Sequence, residues 1–179
     1  MELAKFRRII TGHNAEGKAI ILEDGFAQRA IESGEKFPVV YELWNTRESP
    51  VRVSRQMSEP EEPITLPPPP GGTRARFLDL PPDTDITDEE ARYHFQIMNG
   101  GDAMDGEAEH HSMHRTESVD VAVVLQGEIV LIVDEGETVV RAGDTVIQCG
   151  TNHAWSNRTN ENCRMVFFMI NGKFDADIA

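Results

Sequence analysis

The chain has 179 residues, and 31 acidic against 17 basic side chains give a net charge of −14 at pH 7, which disfavours phosphate backbones and anionic membrane surfaces as partners. Its length fits one domain, residues 1–179, with a sizeable core. No apolar run approaches the ~20 residues that span a bilayer, the first residues lack a signal-type apolar region, and two cysteines are too few for a disulfide framework, so a cytoplasmic protein is expected, with no nucleic-acid and no membrane partner.

Strand-like pieces at 7–10, 18–22 and 39–44 are separated by turn signals such as G-H-N-A-E-G and E-D-G. They read as flanking structure in an N-terminal extension over residues 1–90. The proline-rich segment 60–72, P-E-E-P-I-T-L-P-P-P-P-G-G, cannot be a central strand because each proline lacks a donor, and it reads as a surface loop or an arm onto a partner. Thr87-x-x-Glu90 has capping-box spacing and predicts a short helix running to Met98, ended by Gly100-Gly101. From residue 117 onward strands come densely, at 119–125, 128–133, 138–141, 145–149 and 164–170. The pieces at 129–133 and 165–170 are apolar on both faces, so a covering layer is expected from the N-terminal region and from a second copy of the chain. Cys149 and Cys163 read as small core or near-core residues.

The stretch from His114 to Asn157 carries the chemistry. His114, Thr116 and Asp120 share one strand parity, and Gly127 breaks the strand behind them. A-G-D turns the chain at Gly143. Gly150-x2-His153-x3-Asn157 follows, with Trp155 between the histidine and the asparagine. These residues resemble the two motifs of the cupin superfamily, in its small conserved-barrel form, over about residues 100–171. Asp120 takes the glutamate position, Thr116 replaces the second histidine of the first motif, and Gln148 stands where proline is usual.

The resemblance implies a mainly all-β fold, a cupin-type double-stranded β-helix or jelly-roll barrel with its core at 91–171, N-terminal extension strands and one or two short helices. It further implies a metal site of His114, Asp120 and His153 for one divalent transition metal, Fe, Mn, Ni or Zn, with His110 or His111 as candidate substitutes for a ligand. Thr116, Trp155 and His111 are expected to line the pocket, and Gly127, Gly143, Gly150 and Asn157 to shape its turns. A straight strand would put Asp120 about 20 Å from His114 at ~3.3 Å per residue, so the chain is expected to bend between Arg115 and Ser118.

Two imidazoles and a carboxylate leave coordination positions open for substrate. The expected function is a metal-dependent cupin enzyme acting on a small organic substrate bearing a carbonyl or carboxylate, as an oxidoreductase or a lyase, by dioxygenation, decarboxylation, isomerisation or dehydration. The alternatives are a non-catalytic small-ligand-binding cupin with a degenerate metal site and a structural cupin. Arg115, Arg141 and Arg158 are the basic residues nearest the motifs in sequence and are candidates to pair with a substrate carboxylate. The expected assembly is a homodimer.

Overall fold

Alternation of inward and outward side chains organises most of the molecule. The computed structural model describes residues 4–58, 63–105 and 110–178. Strands β1 (Arg7–His13) and β2 (Ala19–Phe26) form a separate hairpin. A six-stranded sheet runs in the order β3 (Arg29–Ile31), β4 (Val39–Thr46), β5 (Thr73–Leu80), β11 (Cys163–Asn171), β6 (Ser118–Gln126), β9 (Thr145–Gln148). A three-stranded sheet has the order β10 (His153–Ser156), β7 (Glu128–Val133), β8 (Gly136–Arg141). Every pairing is antiparallel. Ala122 and Val124 of β6 and Met165 and Phe167 of β11 meet Ile129 and Val140 from the smaller sheet in one buried cluster, the filling of a jelly-roll barrel.

The densely spaced strands after residue 117 form as their patterns predict. Two strands that matter for the site do not show in the sequence. One is β10, only 4 residues long. The other is β5, T-R-A-R-F-L-D-L, whose inward positions begin with Arg74 and Arg76, the reverse of the apolar-in pattern. Glu42 on β4 resolves the conflict: its Oε1 lies 3.1 Å from Arg74 Nη1 and its Oε2 3.7 Å from Arg76 Nη2, all three side chains buried. Thr65 completes the cluster, its hydroxyl accepting from Arg74 Nη2 at 3.0 Å and its carbonyl from Arg76 Nη2 at 2.7 Å. Since β5 pairs along its length with β11, the barrel sheet runs across the boundary expected at residue 90, and β3 to β5 belong to it.

The helix α1 (Asp88–Ile97) has the expected capping box: Glu90 N–H donates to Thr87 Oγ1 at 3.2 Å, and Thr87 N–H donates back to Glu90 Oε2 at 2.8 Å. Glu90 Oε1 also accepts from Lys36 Nζ at 2.9 Å, joining the helix start to the β3–β4 loop. The proline-rich segment differs from its expectation. Residues 59–62 lie outside the described part, but Ile64, Leu66 and Pro68 are buried, and Ile64 and Leu66 pack with Val40, Phe95 and Met98 in a second core cluster. Leu66 N–H donates to Met98 O at 2.7 Å, so this stretch closes the barrel rather than standing off as a surface loop. Cys163 is buried, whereas Cys149 is exposed and not near-core as expected. Among the described residues no helix is long and apolar enough to cross a membrane.

Covering of the outer faces is uneven. Behind β10, Asp83 accepts from Ser156 Oγ at 2.6 Å and from Asn157 N–H at 2.9 Å. On the larger sheet, Phe168 sits in register with Val121 and Val121 with Ile147, while Ile170 pairs with Val119. Phe168, Ile170 and Ile147 are each half exposed or more. In the single chain the outer face of β11 is therefore partly open at Phe168 and Ile170.

Two outcomes are expected. Glu42→Ala leaves two buried guanidiniums without their shared counter-charge and should cost about 3–5 kcal/mol in urea unfolding; a loss within the range of an ordinary surface substitution would show that the triad does not hold the sheet. The apolar row Phe168–Val121–Ile147 is expected to be covered by a second copy of the chain, giving a light-scattering mass near twice 20.0 kDa at micromolar concentration, and a mass near 20.0 kDa would contradict it.

Candidate functional site

Between the two core clusters lies a cavity of about 140 Å³, lined by both sheets, by α1 and by the segment before β6. Five of the chain's six histidines line it: His94, His110, His111, His114 and His153. Its walls are otherwise mainly apolar, with Phe37, Phe95, Trp155 and Phe167 supplying flat surfaces.

The backbone places His114 beside His153. His114 N–H donates to His153 O and His153 N–H to His114 O, both at 2.9 Å, an isolated antiparallel bridge that sets the residues directly opposite one another. Their rings lie 4.4 Å apart between centroids. Each Nδ1 meets a backbone carbonyl two residues back, Ser112 O at 2.8 Å and Thr151 O at 2.9 Å. A carbonyl only accepts, so both protons sit on Nδ1 and each Nε2 is left as the lone-pair nitrogen. Burial first, and then the neighbouring His153, pushes His114 down to about 3. Burial also lowers His153, partly opposed by Thr151. Both rings are neutral at pH 7.

Asp120 stands on the other sheet. The chain bends at Glu117, where Ser118 N–H donates to Thr116 O at 2.8 Å, and β6 then carries Asp120 onto the inner face of the six-stranded sheet. Its register neighbours Met169 and Gln148 continue a row that begins with Asn45 and Arg74. Asp120 is buried, and its Oδ1 has no hydrogen-bond partner. Burial raises its carboxyl to about 6, against the opposing effects of Ser118 and Arg76.

These residues fit a divalent metal in part. Two neutral imidazoles with free Nε2 lone pairs, each oriented by a carbonyl behind it, are the donors such an ion takes. The orphaned Oδ1 of Asp120 is a third donor by chemistry. Among the described residues no three His, Cys, Asp or Glu side chains are gathered closely enough to hold one ion.

Thr116, Trp155 and His111 all line the cavity. Thr116 shares a hydrogen bond of 2.8 Å with Ser118 Oγ, and Trp155 meets Phe167 edge-on. His110 and His111 stack on each other with centroids 4.7 Å apart. His94 belongs to neither motif and adds a fifth imidazole that the motifs do not announce. It lies flat on Phe37, its Nδ1 is 2.5 Å from Ser33 Oγ, and burial pushes it down to about 4. The signal for it is its place on the buried side of a capped helix.

The three arginines near the motifs are engaged elsewhere. Arg141 pairs with Glu128, Arg158 with Glu137, and Arg115 lies over Phe174. The guanidinium in the cavity wall belongs to Arg76. Among the motif residues, Asn157 Nδ2 donates to Leu80 O and Glu161 O and its Oδ1 accepts from Thr159, which ties the turn after β10. Gly150 has φ +64, and a Cβ there would lie 2.9 Å from the Phe174 ring and 3.2 Å from Thr116 O, so this turn excludes side chains. Gly127 has φ +82, where a Cβ would lie 3.1 Å from Asn162 O, and Gly143 donates its N–H to Val124 O.

Comparison with known proteins agrees with this architecture. The cupin domain family matches residues 99–169. Phomopsin biosynthesis cluster protein C' of Diaporthe leptostromiformis is 32% identical over 177 residues, covering 96% of this chain and 82% of that protein. The cupin-domain-containing oxidoreductase virC of Hypocrea virens is 26% identical over 175 residues, covering 93% and 76%. The cupin domain of Schizosaccharomyces pombe Cnp3 superposes with a TM-score of 0.48 at 10% identity, over 94% of this chain and 89% of that one. With antiparallel sheets closed around a histidine-lined cavity and a relative of 32% identity over nearly its whole length, the chain belongs to the cupin superfamily.

Proposed function

We propose that the protein is a cupin enzyme that transforms a small organic molecule held in the cavity, with His114 and His153 as the pair that meets the reacting group. The observation that carries this reading is the pair itself: two adjacent, buried, neutral imidazoles with both Nδ1 atoms committed to carbonyls. A site built only for packing has no use for two matched lone pairs beside a cavity. Relatives named as cupin-domain oxidoreductases and as biosynthesis cluster proteins support an enzyme acting on a small molecule.

The roles divide by proton affinity. An imidazole held near 3 is a poor proton carrier at pH 7, about four decades from its midpoint, so His114 suits lone-pair donation to a cation or to a substrate hydroxyl. Asp120, near 6, sits close enough to neutrality to give or take a proton at the cavity wall. A divalent transition metal held by the two Nε2 atoms would supply Lewis-acid polarisation of a bound carbonyl or carboxylate. The apolar parts of the wall present flat surfaces to the carbon skeleton. A second reading, a non-catalytic small-ligand-binding cupin, is favoured by one observation, the lack of a third gathered donor among the described residues.

Metal addition separates the two readings. Fe(II), Mn(II), Ni(II) or Zn(II) should raise the melting temperature of chelator-treated protein, with roughly 2.7 kcal/mol expected at a hundredfold excess over Kd. His153→Ala should abolish that shift together with turnover, while Thr116→Ala should leave metal content nearly intact. No shift with any of the four ions would move the assignment to the binding-only reading, and full metal stoichiometry in His153→Ala would remove His153 from the site.

The pH dependence of stability has a defined sign. His94, His114 and His153 have folded values below the ordinary histidine value of 6.5, so below that pH the unfolded chain binds more protons than the folded one and stability is lost as pH falls. Asp120 opposes them: its folded value near 6 lies above the usual 3.8, so its contribution is full below 3.8 and is lost as pH rises through 6. Three groups outweigh one. Urea midpoints should therefore rise from about pH 4.5 to about pH 6.5, and Asp120→Asn should steepen the rise; a flat profile in the native protein would contradict neutral burial of the imidazoles.

A further inference from the structure

Arg76 is a charged group that the histidine pair and Asp120 leave without a role. It is a guanidinium in the cavity wall, 3% exposed, on a strand whose pairing with β4 and β11 fixes its position. Its Nη2 is taken by Thr65 O at 2.7 Å, but its Nε is buried with no hydrogen-bond partner. Glu42, the nearest carboxylate, lies closer to Arg74 at 3.1 Å than to Arg76 at 3.7 Å. One carboxylate stands between two guanidiniums, and the other negative group that acts on Arg76 is Asp120, whose carboxyl burial raises to about 6. Burial lowers Arg76 only to about 10, so it stays charged at neutral pH.

The rest of the wall gives the shape of a partner. Beyond Arg76 the inner face of the sheet turns apolar, since Val40, Leu78, Met165 and Val124 fall in one register row. Phe95 and Trp155 add flat faces. The volume of about 140 Å³ is close to that of cavities of roughly 150 Å³ that take up benzene, so the space accommodates one ring or its aliphatic equivalent. A molecule of net charge −14 does not gather small anions through its surface field, so an anion that enters must be held by a group inside.

We propose that the cavity takes a small monocarboxylate on a single-ring-sized apolar skeleton, with its carboxylate received by Arg76. This rests on the cavity being the substrate site, and it names the class of substrate. A carboxylate at Arg76 would add to the buried counter-charge that Glu42 and Asp120 supply, at a guanidinium that lines the cavity. It also directs the opposite end of the molecule away from the polar corner of the wall.

The test uses the 179-residue chain carrying Trp44→Phe, so that Trp155 fluorescence alone reports on the cavity. Benzoate and its neutral isostere benzamide are titrated against chelator-treated protein. Benzoate is expected to bind about tenfold more tightly, the fold-change of one charge-assisted hydrogen-bond pair. Arg76→Gln should erase the preference, and His153→Ala should retain it. Equal affinities, or no response to either compound at millimolar concentration, would overturn the proposal. A preference lost in His153→Ala would overturn it too, since the imidazoles would then hold the anion. If Arg76→Gln fails to fold, the benzoate-to-benzamide ratio in the native and His153→Ala chains decides. Metal-induced stabilisation is measured separately, so the enzyme reading and the carboxylate assignment can fail independently.

Discussion

Glu42 stands between two guanidiniums inside the barrel, and the position of the cavity follows from that ionic contact. Strand β5 turns Arg74 and Arg76 inward, which a sheet tolerates only with a carboxylate opposite and a carbonyl to receive the remaining donors. Glu42 and Thr65 meet those needs, and with them met, β5 becomes the central strand that joins the N-terminal third of the chain to β11. The polar corner so created is one wall of the site. Replacement of the three charges by apolar residues of similar volume would be easier to stabilise. Retaining them keeps a charged surface in a cavity whose walls are otherwise imidazole and hydrocarbon for the most part.

The opposite wall depends on the backbone. Reciprocal N–H to carbonyl bonds between His114 and His153 fix the rings' separation before any side-chain preference acts, and Ser112 and Thr151 fix the tautomer. The same burial that keeps these rings neutral keeps Asp120 partly protonated, so one desolvated environment moves bases down and an acid up. The site thus combines neutral donors on one sheet with a titrating carboxylate and a permanent cation on the other.

Much of the barrel is legible in the sequence because its strands after residue 117 obey apolar periodicity and are punctuated by glycines with positive φ. The helix is legible from Thr87 and Glu90 alone. The motif residues His114, Asp120 and His153 line one cavity, and so do Thr116, Trp155 and His111. What stays hidden does so for identifiable reasons. Strand β5 carries charge where the pattern rule expects hydrocarbon, so Arg76 gives no signal and its sequence-near counterparts Arg115, Arg141 and Arg158 draw the eye instead. The proline segment lacks donors, which describes its hydrogen bonding but not its packing: Ile64 and Leu66 bury themselves regardless. Distance between the imidazoles and Asp120 depends on which sheet each strand joins, and no local spacing encodes that.

Glu90 has one further consequence. A single exposed carboxylate caps α1 through Thr87 and holds Lys36 of the β3–β4 loop. Lys36 and Phe37 on that loop, and His94 on the helix, all belong to the cavity wall. Phe37 stacked on His94 adds a second tie between the same two pieces. Loop and helix therefore share their fastenings and cannot loosen independently. Amides of the loop and of the helix are therefore expected to exchange with solvent through a shared opening at this corner of the cavity.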